Sequence, residues 1–241
     1  MKKKVLTVAL VLALLAIVVS GTLAYFTAED EVTNTFTVGS VKIEIFENDK
    51  ETDSDTITFE DPLMPIVNIT TPSEDVSYMD KAVKVKNTGA NGAYIRVHIA
   101  IPTQLVGYLY LDLNETGWAR QTDTTATVEG VNYTVFTYDY NTEVTSGNFT
   151  GELLKGVYLT SEADLKDNPD TATADLEFCK PDGKGGYTFS GFTAHSKTNS
   201  GYTSNKVNVL VASEAIQARG FEKGATDALN TGFGEKTNPW Q

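Results

Sequence analysis

The feature that most constrains this chain is a two-residue alternation of apolar and polar side chains, which recurs in short segments along its length. The alternation is clearest at 94–101, and it returns at 41–45, 83–86, 131–140 and 207–211. Successive side chains of a β-strand point to opposite faces of a sheet, so each segment predicts a strand with one buried face. Turn-forming residues separate the segments, a pattern typical of an antiparallel β-sandwich.

Other segments fill in this prediction. A short alternation at 57–59 predicts another strand, and apolar residues on either side of the turn sequence at 181–186 predict a hairpin with a long loop. The Ser, Thr and Asn content of 193–205, which includes His195, predicts a solvated loop. Helix is predicted only as a few short pieces, at 161–166, 213–218 and 225–230.

The N-terminus has the pattern of an export signal. Three lysines at 2–4 precede fifteen weakly polar or apolar residues at 5–19, and Thr22 and Ala24 supply small side chains before a cleavage site. Residues 1–24 are therefore predicted to be a signal peptide, cleaved after Ala24 or Tyr25. A retained anchor is the alternative, although fifteen residues fall short of the roughly 20 that span a bilayer.

The chain is acidic and has one cysteine. Its formal net charge is −13, and removing the signal peptide would make that charge about −16. Such a surface repels nucleic acids and anionic membranes, so neither is expected as a stable partner of the mature protein. Cys179 cannot form a disulfide within the chain and is predicted to be a small buried side chain beside Phe178.

Few side chains suggest catalysis or metal binding. The two histidines, His98 and His195, belong to no zinc motif, and His98 is predicted to lie at the surface or the core edge. No catalytic residue, cofactor or metal is therefore predicted. The acidic residues at 49–60 have a spacing like that of an EF-hand, but Ser54 stands where glycine is needed, so a solvated loop at 47–55 is favoured over a calcium site.

Aromatic residues offer one further candidate site. Tyr108, Tyr110 and Trp118, together with Asp112, have the composition of a carbohydrate platform. Aromatic side chains of a tyrosine-rich β-domain more often form core or cross-strand pairs, and that interpretation is favoured here.

Three blocks of sequence carry a resemblance. They are GTLAYFT at 21–27 with NTFTVG at 34–39 and VKI at 41–43, VKVKNTG at 83–89 with AYIRV at 93–97, and AIQARGF at 215–221 with DALN at 227–230 and FG at 233–234. Together they resemble exported bacterial proteins processed by a SipW-type signal peptidase, a group that includes the TasA/camelysin-type fibre proteins of biofilm matrices. Residues 103–205 carry no such block.

The resemblance implies a jelly-roll-like domain at 38–241 that assembles into extracellular fibres. In such fibres the N-terminal segment of one mature subunit, here 25–37, adds a strand to a sheet of the next subunit. The donor residues that the resemblance points to are Tyr25, Phe26, Val32 and Phe36. Head-to-tail addition does not close on itself, so it produces a filament.

The resemblance also implies a setting and partners. The protein is expected in the extracellular matrix or on the surface of a Gram-positive bacterium. Its expected partners are further copies of itself, an accessory matrix protein and the signal peptidase. Two other functions stay open, namely a monomeric surface adhesin or binding module and a secreted metalloprotease, an activity described for some relatives.

Overall fold

The fold is described for residues 27–29, 41–51, 56–58, 64–67, 70–75, 77–235 and 238–240 of a computed structural model, and at 27–29 and 56–58 for the backbone only. The predicted signal peptide at 1–24 lies outside this part of the chain. No helix of the described residues has the length and apolar character that crossing a membrane requires.

The described residues form sixteen strands, numbered in chain order, in three antiparallel sheets. Sheet A contains β1 (Thr27–Glu29), β4 (Thr56–Thr58), β6 (Ala93–Pro102), β8 (Trp118–Arg120), β9 (Thr124–Val128), β10 (Val131–Tyr140) and β16 (Asn208–Gln217). Sheet B contains β2 (Ile43–Glu47), β3 (Lys50–Glu51), β5 (Met79–Asn87), β7 (Leu109–Leu113) and β11 (Leu154–Leu159). Sheet C contains β12 (Asp164–Asp167), β13 (Leu176–Pro181), β14 (Tyr187–Thr198) and β15 (Gly201–Ser204).

Sheets A and B pack face to face around the main core. Alternate residues of the longer strands point inward, and this core includes Ile43, Val85, Ile95, Ile99 and Val211. Sheet C adds Phe178 and Ala194 to the same core. Cys179 is buried next to Phe178, as predicted. The prediction of an all-β antiparallel sandwich is confirmed.

The described residues contain one α-helix, α1 (Ala225–Phe233), with short 3₁₀ turns at Pro72–Glu74 and Thr103–Leu105. The helix predicted at 225–230 is therefore confirmed. The helices predicted at 161–166 and 213–218 are wrong, because those residues contribute to β12 and β16. The second of these segments pairs with β6 from Ser213 to Gln217. Pairing with neighbouring strands thus overrides its helical propensity.

Two predicted loops contain strands. His195 lies in β14, where its Nδ1 atom is 3.0 Å from Ser204 Oγ of β15, so 193–205 is mostly a hairpin. The acidic segment at 47–55 begins with a tight turn between β2 and β3, in which Asn48 and Asp49 have φ angles of 48° and 64°. Asn and Asp tolerate this left-handed conformation better than most residues do.

The outer face of sheet A is covered by the C-terminal part of the chain. Helix α1 packs Ala228 and Leu229 on Ile216, and Trp240 packs near Leu210 at the other end of β16. Between them, Arg96 binds the carboxylate of Asp139 through Nε at 2.6 Å and Nη2 at 3.1 Å. Arg96 also donates to Asn230 Oδ1 and to the carbonyl oxygen of Gly234. The guanidinium therefore joins the sheet to the C-terminal layer.

Alkaline pH should destabilise the fold through Tyr138. This side chain is fully buried, and its hydroxyl contacts Glu115 Oε1 at 3.2 Å. Burial is the main reason why the pKa of Tyr138 is raised from 10.0 to about 12. The folded state therefore favours the neutral hydroxyl, so its stabilisation is complete below pH 10 and is lost as the pH rises towards 12.

We expect the melting temperature of the native sequence to fall more steeply between pH 9 and pH 11.5 than that of Tyr138→Phe. The variant, which cannot ionise at this position, should start slightly lower at pH 8 because it lacks the hydrogen bond to Glu115. Differential scanning calorimetry measures both slopes, and identical slopes would contradict this role of Tyr138.

Candidate assembly edge on strand β16

Strand β16 pairs with one long strand on one side and with two short strands on the other. On the first side it pairs with β6 from Leu210 to Gln217. On the other side β1 pairs Thr27 with Ile216, Ala28 with Ala215 and Glu29 with Glu214. Strand β4 pairs with Asn208–Leu210 on the same side. We call this side, from 208 to 217, the β16 edge.

The middle of the β16 edge, residues 211–213, lies between β1 and β4 and pairs with neither of them. The hydroxyl of Ser213, in this stretch, is buried and has no hydrogen-bond partner among the described residues. A buried polar group without a partner is unfavourable. Residues 211–213 are thus the stretch of the β16 edge that lies between the two described short strands.

Side chains of the β16 edge alternate between two buried layers. Val209, Val211 and Ala215 face the core between sheets A and B. Leu210 and Ile216 face the C-terminal layer. A strand that pairs with this edge would place its own side chains alternately beside the two layers, which gives it side-chain specificity in addition to main-chain hydrogen bonds.

Glu214 connects the β16 edge to a buried polar cluster. Its Oε2 atom is 3.3 Å from Nε2 of His98, a distance suited to an ion pair although the two groups are not aligned as a hydrogen bond. The other ring nitrogen of His98 is 2.9 Å from the hydroxyl of Thr137. His98 is completely buried, so its prediction as a surface or core-edge residue is wrong. Trp240 of the C-terminal layer packs near it, with ring centroids 6.3 Å apart.

The structure places part of the predicted donor segment at this edge. Of residues 25–37, the described part is Thr27–Glu29, which forms β1. The predicted donor residues Tyr25, Phe26, Val32 and Phe36 lie outside the described residues, as does Ala24 of the cleavage site. The prediction that they form an intermolecular strand stays a prediction.

The edge itself was missed by sequence reasoning. Alternation at 207–211 predicts the start of β16, but Ser213 and Glu214 interrupt the apolar pattern and conceal its continuation to Gln217. A buried carboxylate beside a buried histidine has no signature in the sequence, because its partners come from strands far apart in the chain. Period-two spacing of Ala212, Glu214 and Ile216 was the one available signal.

The other candidate sites are dispersed. Trp118 packs in the core against Tyr140, and Tyr108 is buried with its hydroxyl donating to the carbonyl oxygen of Thr188. Tyr110 instead lies on the outside of sheet B and stacks on Tyr158. These are core and cross-strand contacts, as favoured from the sequence. In the described ranges no three His, Cys, Asp or Glu side chains form a group suited to a metal ion.

Comparisons of this chain with protein-family models, with curated proteins and with solved structures find no match.

Proposed function

We propose that this protein is a structural subunit that assembles into extracellular filaments by donating its N-terminal segment, residues 25–37, to the β16 edge of the next copy. The observation that carries the proposal is the antiparallel pairing of Thr27–Glu29 with Glu214–Ile216. A strand that pairs with an edge of its own subunit can make the same contacts with the identical edge of another subunit. The three blocks that resemble TasA/camelysin-type proteins also support this function.

The register of β1 gives the donor segment a consistent burial pattern. Because Ala28 is opposite Ala215, a donor continuing residue for residue would place Val32 opposite Val211 and Phe36 opposite Val207. Both of these valines face the main core. Phe26 has the same even spacing from Ala28, so all three apolar residues would share the core-facing side.

A donor of this length also has a consequence for β4. Residues 33–35 in the same register would occupy the positions on Asn208–Leu210 with which β4 pairs. Strand β4 is only three residues long, so few hydrogen bonds have to be exchanged when it is displaced. The proposed assembly therefore replaces two short strands by one long strand on the β16 edge.

The experiment that tests the function follows the mature protein, residues 25–241, by electron microscopy and sedimentation at rising concentration. We expect filaments above a threshold concentration, and we expect salt to lower that threshold because it screens the repulsion between acidic subunits. Monomers at every concentration and salt level would contradict the proposal.

A further inference from the structure

The side of strand β16 that faces the main core carries a polar side chain, Ser213, in its middle. Ser213 is aligned with Val97 of β6, which belongs to this core. Directly aligned residues of an antiparallel pair have their side chains on the same face of the sheet, so Ser213 faces the core as well. Its neighbours along this side are apolar core residues, namely Val209, Val211 and Ala215. The next polar residue in the row is Gln217, at the end of the strand.

The hydroxyl of Ser213 lacks a hydrogen bond in this apolar setting. The residue is only 2% exposed, and its Oγ atom has no hydrogen-bond partner among the described residues. A buried hydroxyl without a partner costs free energy, which a suitably placed hydrogen-bond acceptor would offset. On one side of Ser213 lies β6, so such an acceptor would come from a strand on the β16 edge.

The register of β1 identifies the residue that would meet Ser213. Strand β1 ends with Glu29 opposite Glu214. If the strand continues in this register, its next residue, Asp30, is opposite Ser213. Asp30 lies outside the described residues, but only one step separates it from the observed pairing. Its carboxylate is a strong acceptor for a hydroxyl group.

Other registers leave Asp30 without such a partner. A shift has to be by an even number of residues, since an odd shift turns every side chain of the donor to the opposite face. Shifts towards the start of β16 place Asp30 opposite a valine, and a shift by two the other way places it opposite Ala215. A carboxylate is unfavourable in such surroundings. A shift by four brings Asp30 to Gln217, but it also moves residues 25–29 past the end of β16.

Asn34, the other polar residue on the core-facing side of the donor segment, does not discriminate between the registers. It would be opposite a valine of the core in the register of β1 and after a shift by two in either direction, namely Val209, Val211 and Val207. Asp30 is therefore the polar donor residue whose partner depends on the register.

We propose that Asp30 of one copy accepts a hydrogen bond from the Ser213 hydroxyl of the next copy, and that this buried pair fixes the register of the donated strand. The inference rests on the proposed function, because it concerns the same segment and the same β16 edge. A single polar contact in an apolar seam can specify alignment at some cost in stability, as in coiled coils, because misaligned pairings leave polar groups unsatisfied. A single register would give the filament a uniform repeat.

Disulfide mapping in filaments of the full mature chain tests the register. All preparations carry Cys179→Ala, which removes the native thiol, and each filament is grown from a mixture of two single-cysteine variants. The pair Ala28→Cys with Ala215→Cys reports the register of β1. The pair Ala28→Cys with Gln217→Cys reports a shift by two in one direction. The pair Phe26→Cys with Ala215→Cys reports the same shift in the other direction.

With the native residues at 30 and 213, the 28–215 dimer should exceed either shifted dimer roughly tenfold. Asp30→Leu in all subunits should raise the shifted dimers to amounts comparable with 28–215, because a leucine is accommodated opposite any apolar neighbour. Ser213→Val should have the same effect, since Asp30 then faces an apolar residue in all three registers. Asp30→Asn, which keeps an acceptor for the hydroxyl, should retain the single register.

Glu31→Leu supplies the matched control. It removes the same charge one residue further along the donor, on the other face and opposite Ala212, so the 28–215 dimer should stay dominant. If Asp30→Leu prevents polymerisation, adding Ser213→Val should restore it, because both partners are then apolar.

The proposal fails if either Asp30→Leu or Ser213→Val retains the single register, or if Glu31→Leu disturbs it as strongly as Asp30→Leu does. It also fails if polymerisation lost in Asp30→Leu does not return with Ser213→Val. Filaments with 28–215 dimers and a register unchanged by these substitutions would contradict this inference alone. Native protein that forms no filaments, or filaments without any of the three dimers, would contradict the proposed function.

Discussion

Replacing Arg96 with methionine is expected to lower the free energy of unfolding by about 3–5 kcal/mol, because it leaves the buried carboxylate of Asp139 without its ion-pair partner. Both side chains are completely buried in the folded protein. The same substitution removes the hydrogen bonds to Asn230 and to Gly234, which hold helix α1 on sheet A. Urea denaturation followed by circular dichroism measures the loss.

The chain offers a matched control in Arg120, which also binds an aspartate, Asp123, through two oxygens. That pair is solvent-exposed, so Arg120→Met should cost less than about 1 kcal/mol. The double variant Arg96→Met with Asp139→Leu should recover most of the loss, since no unpaired charge remains buried. An Arg96→Met variant as stable as Arg120→Met would contradict the role assigned to the buried pair.

Deleting residues 25–37 from the mature protein is expected to abolish filament formation and leave a soluble monomer. The deletion removes β1, so Glu214–Ile216 lose the strand with which they pair. The sandwich should still fold, because the core residues that the structure describes all lie outside 25–37. We expect the melting temperature to fall by several degrees, because one buried edge has become open. Electron microscopy and calorimetry measure the two effects.

A peptide of residues 25–37 provides the control for this deletion. It should bind the shortened protein and raise its melting temperature, since a ligand of the folded state stabilises it by mass action. In excess it should also stop full-length subunits from polymerising, because it occupies the edge that the donor needs. Filaments from the shortened protein would contradict strand donation.

The sequence was a good guide to the strands and a poor guide to their neighbours. Alternation at 94–101 and 131–140 predicts β6 and β10 well, because each has one face in the core. The alternation does not predict the strand at 213–218. Glu214 interrupts the apolar pattern there, and its burial beside His98 is evident only in the folded protein. The local propensity of a segment does not indicate which distant segment of the chain will pack against it.

The candidate site, too, could be predicted from the sequence only in part. The N-terminal blocks predict that 25–37 is a special segment, and nothing in the residues indicates which edge would receive it. The proposal of the β16 edge rests instead on the order of strands in sheet A, where β16 is the described strand that pairs with both β1 and β4. The aromatic contact on the outside of sheet B was likewise hidden, because it joins Tyr110 of β7 to Tyr158 of β11.

Disulfide trapping between different molecules tests strand donation most directly. One preparation carries Ala28→Cys and a second carries Ala215→Cys, the two positions that the register places opposite each other. Both carry Cys179→Ala, which removes the native thiol. We predict that filaments grown from the mixture form disulfide-linked dimers on oxidation, whereas a mixture of Ala28→Cys with Ser204→Cys, on sheet C, does not. Filaments that yield no 28–215 dimer would contradict donation to the β16 edge.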